Sequence, residues 1–313
     1  MASTKRWTAD DLPDLSGQEI VITGANSGIG FEAARKLAQK GASVVLACRN
    51  LEKARTAAAQ IISAHPHAAL EVMQLDLAAL ESVRNFARCF NATHQNLHVL
   101  CNNAGVMALP YRRTADGFEM QFGTNHLGHF ALTGLLLEPL LRTDGARVVT
   151  VSSSAHWMGR IQFDDLQSDR GYSQWLAYGQ SKLANLLFTF ELQHRAEQAG
   201  LSLKSVACHP GYAATNLQTV GARMQGFWML EMGMDIANRL FAQSAEMGAL
   251  QLLYAATAPN VDGGDYIGPD GIGEFRGYPT KVRCSTAARD RATAQRLWEI
   301  SERLTGVQFR FSV

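Results

Sequence analysis

The chain has 313 residues, 47% of them hydrophobic and 18% charged, with 29 Lys and Arg against 28 Asp and Glu for a formal net charge of +1. That composition is too apolar for intrinsic disorder, long enough to bury a sizeable core, and too evenly charged to favour a nucleic-acid partner. A small-molecule partner is what remains.

Residues 1–16 read as a polar leader without the apolar stretch of a secretory signal, and no run approaches the ~18 apolar residues of a membrane-spanning helix. A cytoplasmic protein with no transmembrane segment is expected. A strand signal ends at Val21 and Ile22, a glycine-rich turn follows, and 31–39 reads as an Ala-rich helix stopped by Gly41. The period then keeps switching: strand at 43–48, helix at 51–64, strand at 70–75, helix at 80–90, strand at 98–101. A helical pattern from 118 to 141, a strand at 147–151, a long helix and a strand at 203–208 complete the series. This alternation predicts an α/β fold, a doubly wound parallel sheet of Rossmann type, in one domain over 17–270.

Two stretches stand apart. The segment 213–246 breaks the pattern with Met224, Phe227, Trp228, Met229, Met232 and Met234, which either fill core or form an apolar lid over a substrate; the lid is the expectation carried forward. Residues 271–313 form a C-terminal extension with no clear place in the sheet. Five cysteines, Cys48, Cys89, Cys101, Cys208 and Cys284, show neither C-x-x-C nor zinc-finger spacing and read as reduced, mostly core thiols, with no metal site.

The turn after the first strand is Thr23-Gly24-Ala25-Asn26-Ser27-Gly28-Ile29-Gly30. Gly24 permits a sharp exit from the strand, Gly28 a close backbone approach to a pyrophosphate, and Gly30 tight packing of helix on strand. The pyrophosphate would face the amides and the positive dipole end of the next helix. The second strand ends Ala47-Cys48-Arg49-Asn50, with no carboxylate where one would accept from the 2′-hydroxyl of NAD. Arg49 can instead pair with a 2′-phosphate through its planar fork, so NADP(H) is expected in preference to NAD(H).

Further on, Tyr178 and Lys182 stand four apart at the start of a helical stretch and so share one face. A neighbouring ammonium favours the phenolate and is expected to bring the tyrosine pKa down, towards use as a general acid/base. Ser152, Ser153 and Ser154 end a predicted central strand, where open α/β sheets place their ligands, and a hydroxyl there can hold a substrate carbonyl. His126, His129 and His156 fall near these motifs and read as backbone or packing support. Nothing matches a nucleophilic G-x-S-x-G elbow.

With the turn TGANSGIG, the run Asn102-Asn103-Ala104-Gly105, the serine, Y-x-x-x-K and His209-Pro210-Gly211 in this order, the chain resembles the short-chain dehydrogenase/reductase family over about 17–270. ACRN at 47–50, NHLGHF at 125–130, VSSSAH at 151–156 and YGQSKLANLLF at 178–188 resemble its retinol dehydrogenase and WW-domain oxidoreductase branch. The resemblance implies Tyr178 as general acid/base, Lys182 as the residue that tunes it and holds the nicotinamide ribose, and Ser153 as the substrate-orienting serine. The long stretch 157–174 ahead of the tyrosine leaves Ser152 open as the alternative. It implies Asn125 in a proton relay, Asp76 with Leu77 at the adenine, Asn103, Ala104 and Gly105 beside the ribose, and Pro210, Gly211 and Thr215 at the carboxamide.

The expected reaction is hydride transfer between NADPH and the carbonyl or alcohol carbon of a hydrophobic aldehyde or ketone. Met107, Trp157, Trp175 and Trp228 are the candidate substrate contacts. An NAD-linked alcohol dehydrogenase and a non-catalytic nucleotide sensor are the alternatives. A homodimer through the helices at 125–141 and 181–198 is possible by the same resemblance, with the long tail able to block the family's usual second interface.

Overall fold

A computed structural model describes residues 6–212 and 243–311, and in it the short, nearly continuous apolar runs become strands and the stretches of period near 3.6 become helices. The order is β1 (Glu19–Thr23), α1 (Gly28–Gln39), β2 (Ser43–Cys48), α2 (Leu51–Ala64), β3 (Ala69–Gln74), α3 (Leu80–Thr93) and β4 (Val99–Asn102). Then come α4 (Gly128–Leu135), α5 (Leu137–Leu141), β5 (Arg147–Val151), α6 (Gln174–Gln198) and β6 (Lys204–Cys208). The C-terminal part adds α7 (Ala245–Thr257), β7 (Tyr266–Pro269), β8 (Pro279–Lys281) and α8 (Arg291–Thr305).

The described strands make one eight-stranded sheet in the order β3-β2-β1-β4-β5-β6-β7-β8, parallel throughout except for the antiparallel pair β7–β8. The winding reverses between β1 and β4, which opens a crevice at the carboxyl ends of those strands, the usual ligand position in such sheets. Both faces are apolar because both are covered. Ile20, Ile22, Val149 and Val151 pack under α1, α2 and α7, while their neighbours Val21 and Val148 pack under α3 and α4. Among the described residues no helix is long and apolar enough to cross a membrane.

Three local findings differ from the expectation. The helical pattern at 118–141 is not one helix: a π-helical turn, Gly123–Leu127, precedes α4, and the chain breaks at Leu136 before α5. Pro139 explains the second break, since it has no N–H to give the carbonyl of Leu135. The polar leader is anchored, with Leu12 and Leu15 buried and Trp7 edge-on to Tyr254 at 5.2 Å.

The tail also has a place in the fold. Pro279–Lys281 adds the short edge strand β8, and α8 lies across α4 and α6, covering the face that the resemblance assigns to a dimer. Trp298 of α8 sits 5.1 Å from the Phe130 ring and 5.8 Å from that of Phe188, and the Phe309 ring closes over it at 4.5 Å. All five cysteines are free; Cys48, Cys101 and Cys208 are buried and Cys89 is exposed.

Candidate active site

The glycine turn is shaped by backbone geometry. Gly24 leaves β1 at φ +70°, a conformation that costs glycine nothing. A Cβ on Gly30 would sit 2.6 Å from both the Gly24 carbonyl and Asn103 Nδ2, so only glycine lets the first turn of α1 pack this closely. Ser27, at the N-cap of α1, makes no side-chain cap bond, which leaves the first amides of the helix open to an anion. Asn26, Gly28 and Ile29 lie partly exposed along the same turn.

The run after β4 is tied to this turn through Thr23. The amides of Asn103 and Ala104 each donate to Thr23 Oγ1 at 2.9 Å, and Asn103 Nδ2 donates to the Thr23 carbonyl at 2.7 Å. His129 completes the hub, with Nε2 2.9 Å from Thr23 Oγ1 and Nδ1 3.0 Å from the Asn125 carbonyl. A carbonyl only accepts, so Nδ1 carries the hydrogen and Nε2 takes the Thr23 hydroxyl proton, freeing both hydroxyl lone pairs for the two amides. Burial, with Lys182 nearby, holds the His129 pKa down to about 4, so the ring is neutral. Sequence reasoning missed Thr23; its only signal was its place immediately ahead of the turn.

At the carboxyl end of β2, Arg49 is exposed, while Asn50 accepts from Lys53 N and caps α2. Asp76 follows β3 and accepts from Ala78 N at 3.0 Å; Leu77 beside it is buried. Cys48, another residue without a sequence signal, lies buried against the amides of Ala25 and Asn26, its thiol pushed up to about 11 by burial.

The other end of the crevice is built from buried side chains. Every residue of α6 from Ala177 to Thr189 is buried, Tyr178 and Lys182 among them. Lys182 Nζ donates to the Val151 carbonyl at the end of β5 (3.0 Å), and Asn185 Nδ2 donates to the same oxygen (3.1 Å). Gly105 passes alongside: a Cβ there would lie 3.1 Å from Asn125 Oδ1 and 3.7 Å from Lys182 Nζ. Asn125, in the π-turn, is locked by Val106 N donating to its Oδ1 (2.8 Å), with its Nδ2 donating to the Val106 carbonyl and to Ser181 Oγ (2.9 Å each). A π-turn at such a position is a common mark of a functional site.

The two serines separate here. Ser152 Oγ donates to the Lys182 carbonyl at 2.8 Å and is spent on the helix backbone. Ser153 accepts from Ala155 N (3.2 Å) and lies at the Tyr178 phenol, where it lowers the phenol pKa. Burial is the larger effect and pushes Tyr178 up to about 12, while it pulls Lys182 down to about 8. The expectation that the lysine brings the tyrosine pKa down is therefore not met in the protein alone. Lys182 Nζ stands 5.7 Å from the Tyr178 ring centre and is turned to the Val151 carbonyl, so its charge does not offset desolvation of the phenolate.

Pro210 and Gly211 follow β6 at the same edge. Trp175 meets Tyr178 edge-on at 6.3 Å and is 45% exposed; Trp157 packs against His156 and is 59% exposed, and Met107 is half-buried. Trp175 thus flanks the phenol, and none of the three side chains belongs to the core clusters. Thr215, Trp228 and residues 213–242 of the expected lid lie outside the described residues; Gln243 and Ser244 lead into α7, and 245–246 begin it.

Comparison with known proteins agrees with this geometry. The profile of a family described as short chain dehydrogenase matches residues 18–225. The chain is 42% identical over 295 residues to retinol dehydrogenase 12 of Mus musculus, spanning 94% of this chain and 88% of that protein. It is 43% identical over 302 residues to a WW domain-containing oxidoreductase of Danio rerio, spanning 93% of this chain and 69% of that protein. A crystal structure of an uncharacterized protein from Mycobacterium paratuberculosis is similar at 46% identity and a TM-score of 0.81, covering 98% of this chain and all of that one.

Proposed function

This chain belongs to the short chain dehydrogenase family, in its retinol dehydrogenase-like branch, and from that premise we propose that it is an NADP(H)-dependent oxidoreductase acting on a hydrophobic aldehyde or ketone, or the matching alcohol, with Tyr178 as general acid/base. The observation that carries the reading is the Tyr178 phenol lying at Ser153, with Lys182 Nζ 5.7 Å from its ring centre and held to the carboxyl end of β5.

The crevice fits a nicotinamide dinucleotide. Gly24 to Gly30 and the uncapped amides of α1 would take the pyrophosphate, Arg49 the 2′-phosphate, and Asp76 and Leu77 the adenine. Asn103, Ala104 and Gly105 would line the nicotinamide ribose beside Lys182, and Pro210, Gly211 and Thr215 the carboxamide. When bound, the dinucleotide supplies or accepts the hydride; the chain supplies position and a proton.

Tyr178 keeps its proton at neutral pH because burial disfavours the phenolate, so it is set to give that proton to a carbonyl oxygen, with the Ser153 hydroxyl orienting the same oxygen. Lys182, with its pKa near 8, stays charged at neutral pH on the side of the crevice where Gly105 passes between it and Asn125. Exposed Trp157 and Trp175, with Met107, favour a bulky apolar substrate, and likeness to a protein named retinol dehydrogenase supports the same class.

The test is nicotinamide oxidation with NADPH and with NADH across small and bulky aldehydes and ketones. Turnover should prefer NADPH and bulky apolar carbonyls, and Tyr178→Phe should lower it by roughly 10²–10⁴-fold with cofactor binding retained. A preference for NADH points to the NAD-linked alternative; tight binding without turnover points to a sensor.

A further inference from the structure

The hairpin tip 270–278, between β7 and β8, carries none of the motifs above, yet it grips the loop that follows β6. Tyr212 N donates to the Phe275 carbonyl at 2.7 Å. Gly211 takes φ +65°, and a Cβ there would lie 2.4 Å from that same carbonyl, so the two backbones meet only because the residue is glycine. His209, buried at the end of the strand, has Nε2 2.9 Å from the Glu274 carboxylate and Nδ1 3.3 Å from Gly211 N. A carboxylate only accepts, so Nε2 carries the hydrogen and Nδ1 accepts from Gly211, which fixes both tautomer and ring orientation.

Gln243 closes the grip from the other side. Its Nε2 donates to the Pro210 carbonyl, its N donates to the Tyr212 carbonyl (2.8 Å), and its Oε1 accepts from Gly277 N (3.2 Å). Glu274 itself sits at φ +56°, a strained conformation for a residue with a Cβ, next to Gly273 at φ +64°. Such a residue persists where its surroundings over-determine it, and Glu274 is held at both ends, its N donating to the Gly271 carbonyl (2.9 Å) and its carboxylate meeting His209.

We propose that Glu274, acting through His209, is a positioning residue that holds Pro210 and Gly211 against the nicotinamide end of the cofactor. This rests on the nicotinamide dinucleotide reading above. Glu274 touches no reacting atom; removing it frees His209 to turn and lets the Pro210–Gly211 backbone drift, a fault confined to one end of the ligand.

Glu274→Gly deletes the carboxylate and suits the positive φ, so it should fold, while Glu274→Gln keeps an acceptor for His209 Nε2. Dissociation constants are measured by calorimetry for NADPH and for 2′,5′-ADP, which has the adenosine end and no nicotinamide. Glu274→Gly should bind NADPH about tenfold more weakly, as loss of one charge-assisted hydrogen bond allows, with 2′,5′-ADP unchanged and Glu274→Gln restoring most of the loss. Equal weakening of both ligands, or no change in either, overturns the positioning role. Wild type that holds NADH but not NADPH overturns the cofactor preference alone, and the same ratio is then read on NADH against ADP-ribose. Wild type that holds neither dinucleotide overturns the reading and the proposal together.

Discussion

The two ends of the crevice are made of different material. The glycine turn is backbone: its fit is decided by Gly24 at φ +70° and by a 2.6 Å approach at Gly30. The end at Tyr178 and Lys182 is side chain, gathered from β5, the π-turn and α6 and buried until neither a phenolate nor an ammonium is comfortable. The turn is thus a matter of shape, indifferent to pH, whereas the other end is a matter of charge in a dry place. The difference teaches that one family motif can be damaged by a methyl group and another only by chemistry.

The sharpest way to break this contrast is Gly30→Ala. The added carbon meets the Gly24 carbonyl of the turn and the Asn103 side-chain amide tied to it, so binding of dinucleotide and of 2′,5′-ADP should both be lost by more than tenfold at every pH, read by calorimetry. Unchanged binding would mean the turn is softer than its packing implies.

Lys182→Met probes the charged end with two effects of opposite sign. Turnover should fall by about 10²-fold, yet the protein should become more stable at pH 7, because a buried ammonium with its pKa near 8 rather than about 10.4 costs on the order of 3 kcal/mol. The sign follows from proton counting: between pH 8 and 10.4 the unfolded chain holds the proton and the folded one does not, so wild-type stability rises with pH across that window. The variant's advantage in denaturant midpoint should shrink to nothing by its upper edge. Asn185 keeps the Val151 carbonyl satisfied when the ammonium is gone.

The smallest effect lies behind the site. Burial holds His126 at about 3 and His129 at about 4. As pH falls below about 6.5 the unfolded chain takes up protons the folded one refuses, so stability drops from there towards pH 4, by roughly 2 kcal/mol per imidazole at pH 5. His129→Asn, which retains a donor for the Asn125 carbonyl, should flatten that acid limb in urea titrations; an unaltered limb would show that the ring is solvated.

What the sequence made legible follows from the range of its signals. The strands at 43–48 and 147–151 and the helix at 51–64 were readable to the residue, because a short continuous apolar run and a helix cap are signals that act over a few positions. Tyr178 and Lys182 were readable by their four-residue spacing, and the glycine turn by its place after the first strand. The choice between Ser152 and Ser153 required knowing which hydroxyl α6 consumes. The Tyr178 pKa was misjudged because burial along α6 is invisible in a spacing. The grip of Glu274 on His209 spans 65 residues, and the edge strand β8 is three residues long and mostly exposed, so neither leaves a periodic trace.

The aromatic cap on α4 and α6 bears on how the molecule is made. Phe130 and Phe188 leave the ribosome long before Trp298, Val307 and Phe309, which close over them. Until those later residues arrive, the half of the chain that holds Tyr178 and Lys182 carries an open aromatic seam, the kind of surface on which nascent chains stick to one another. A premature stop just ahead of Arg291 would therefore leave every residue of the candidate site in the chain and still yield a protein that aggregates, and its harm would register as lost abundance.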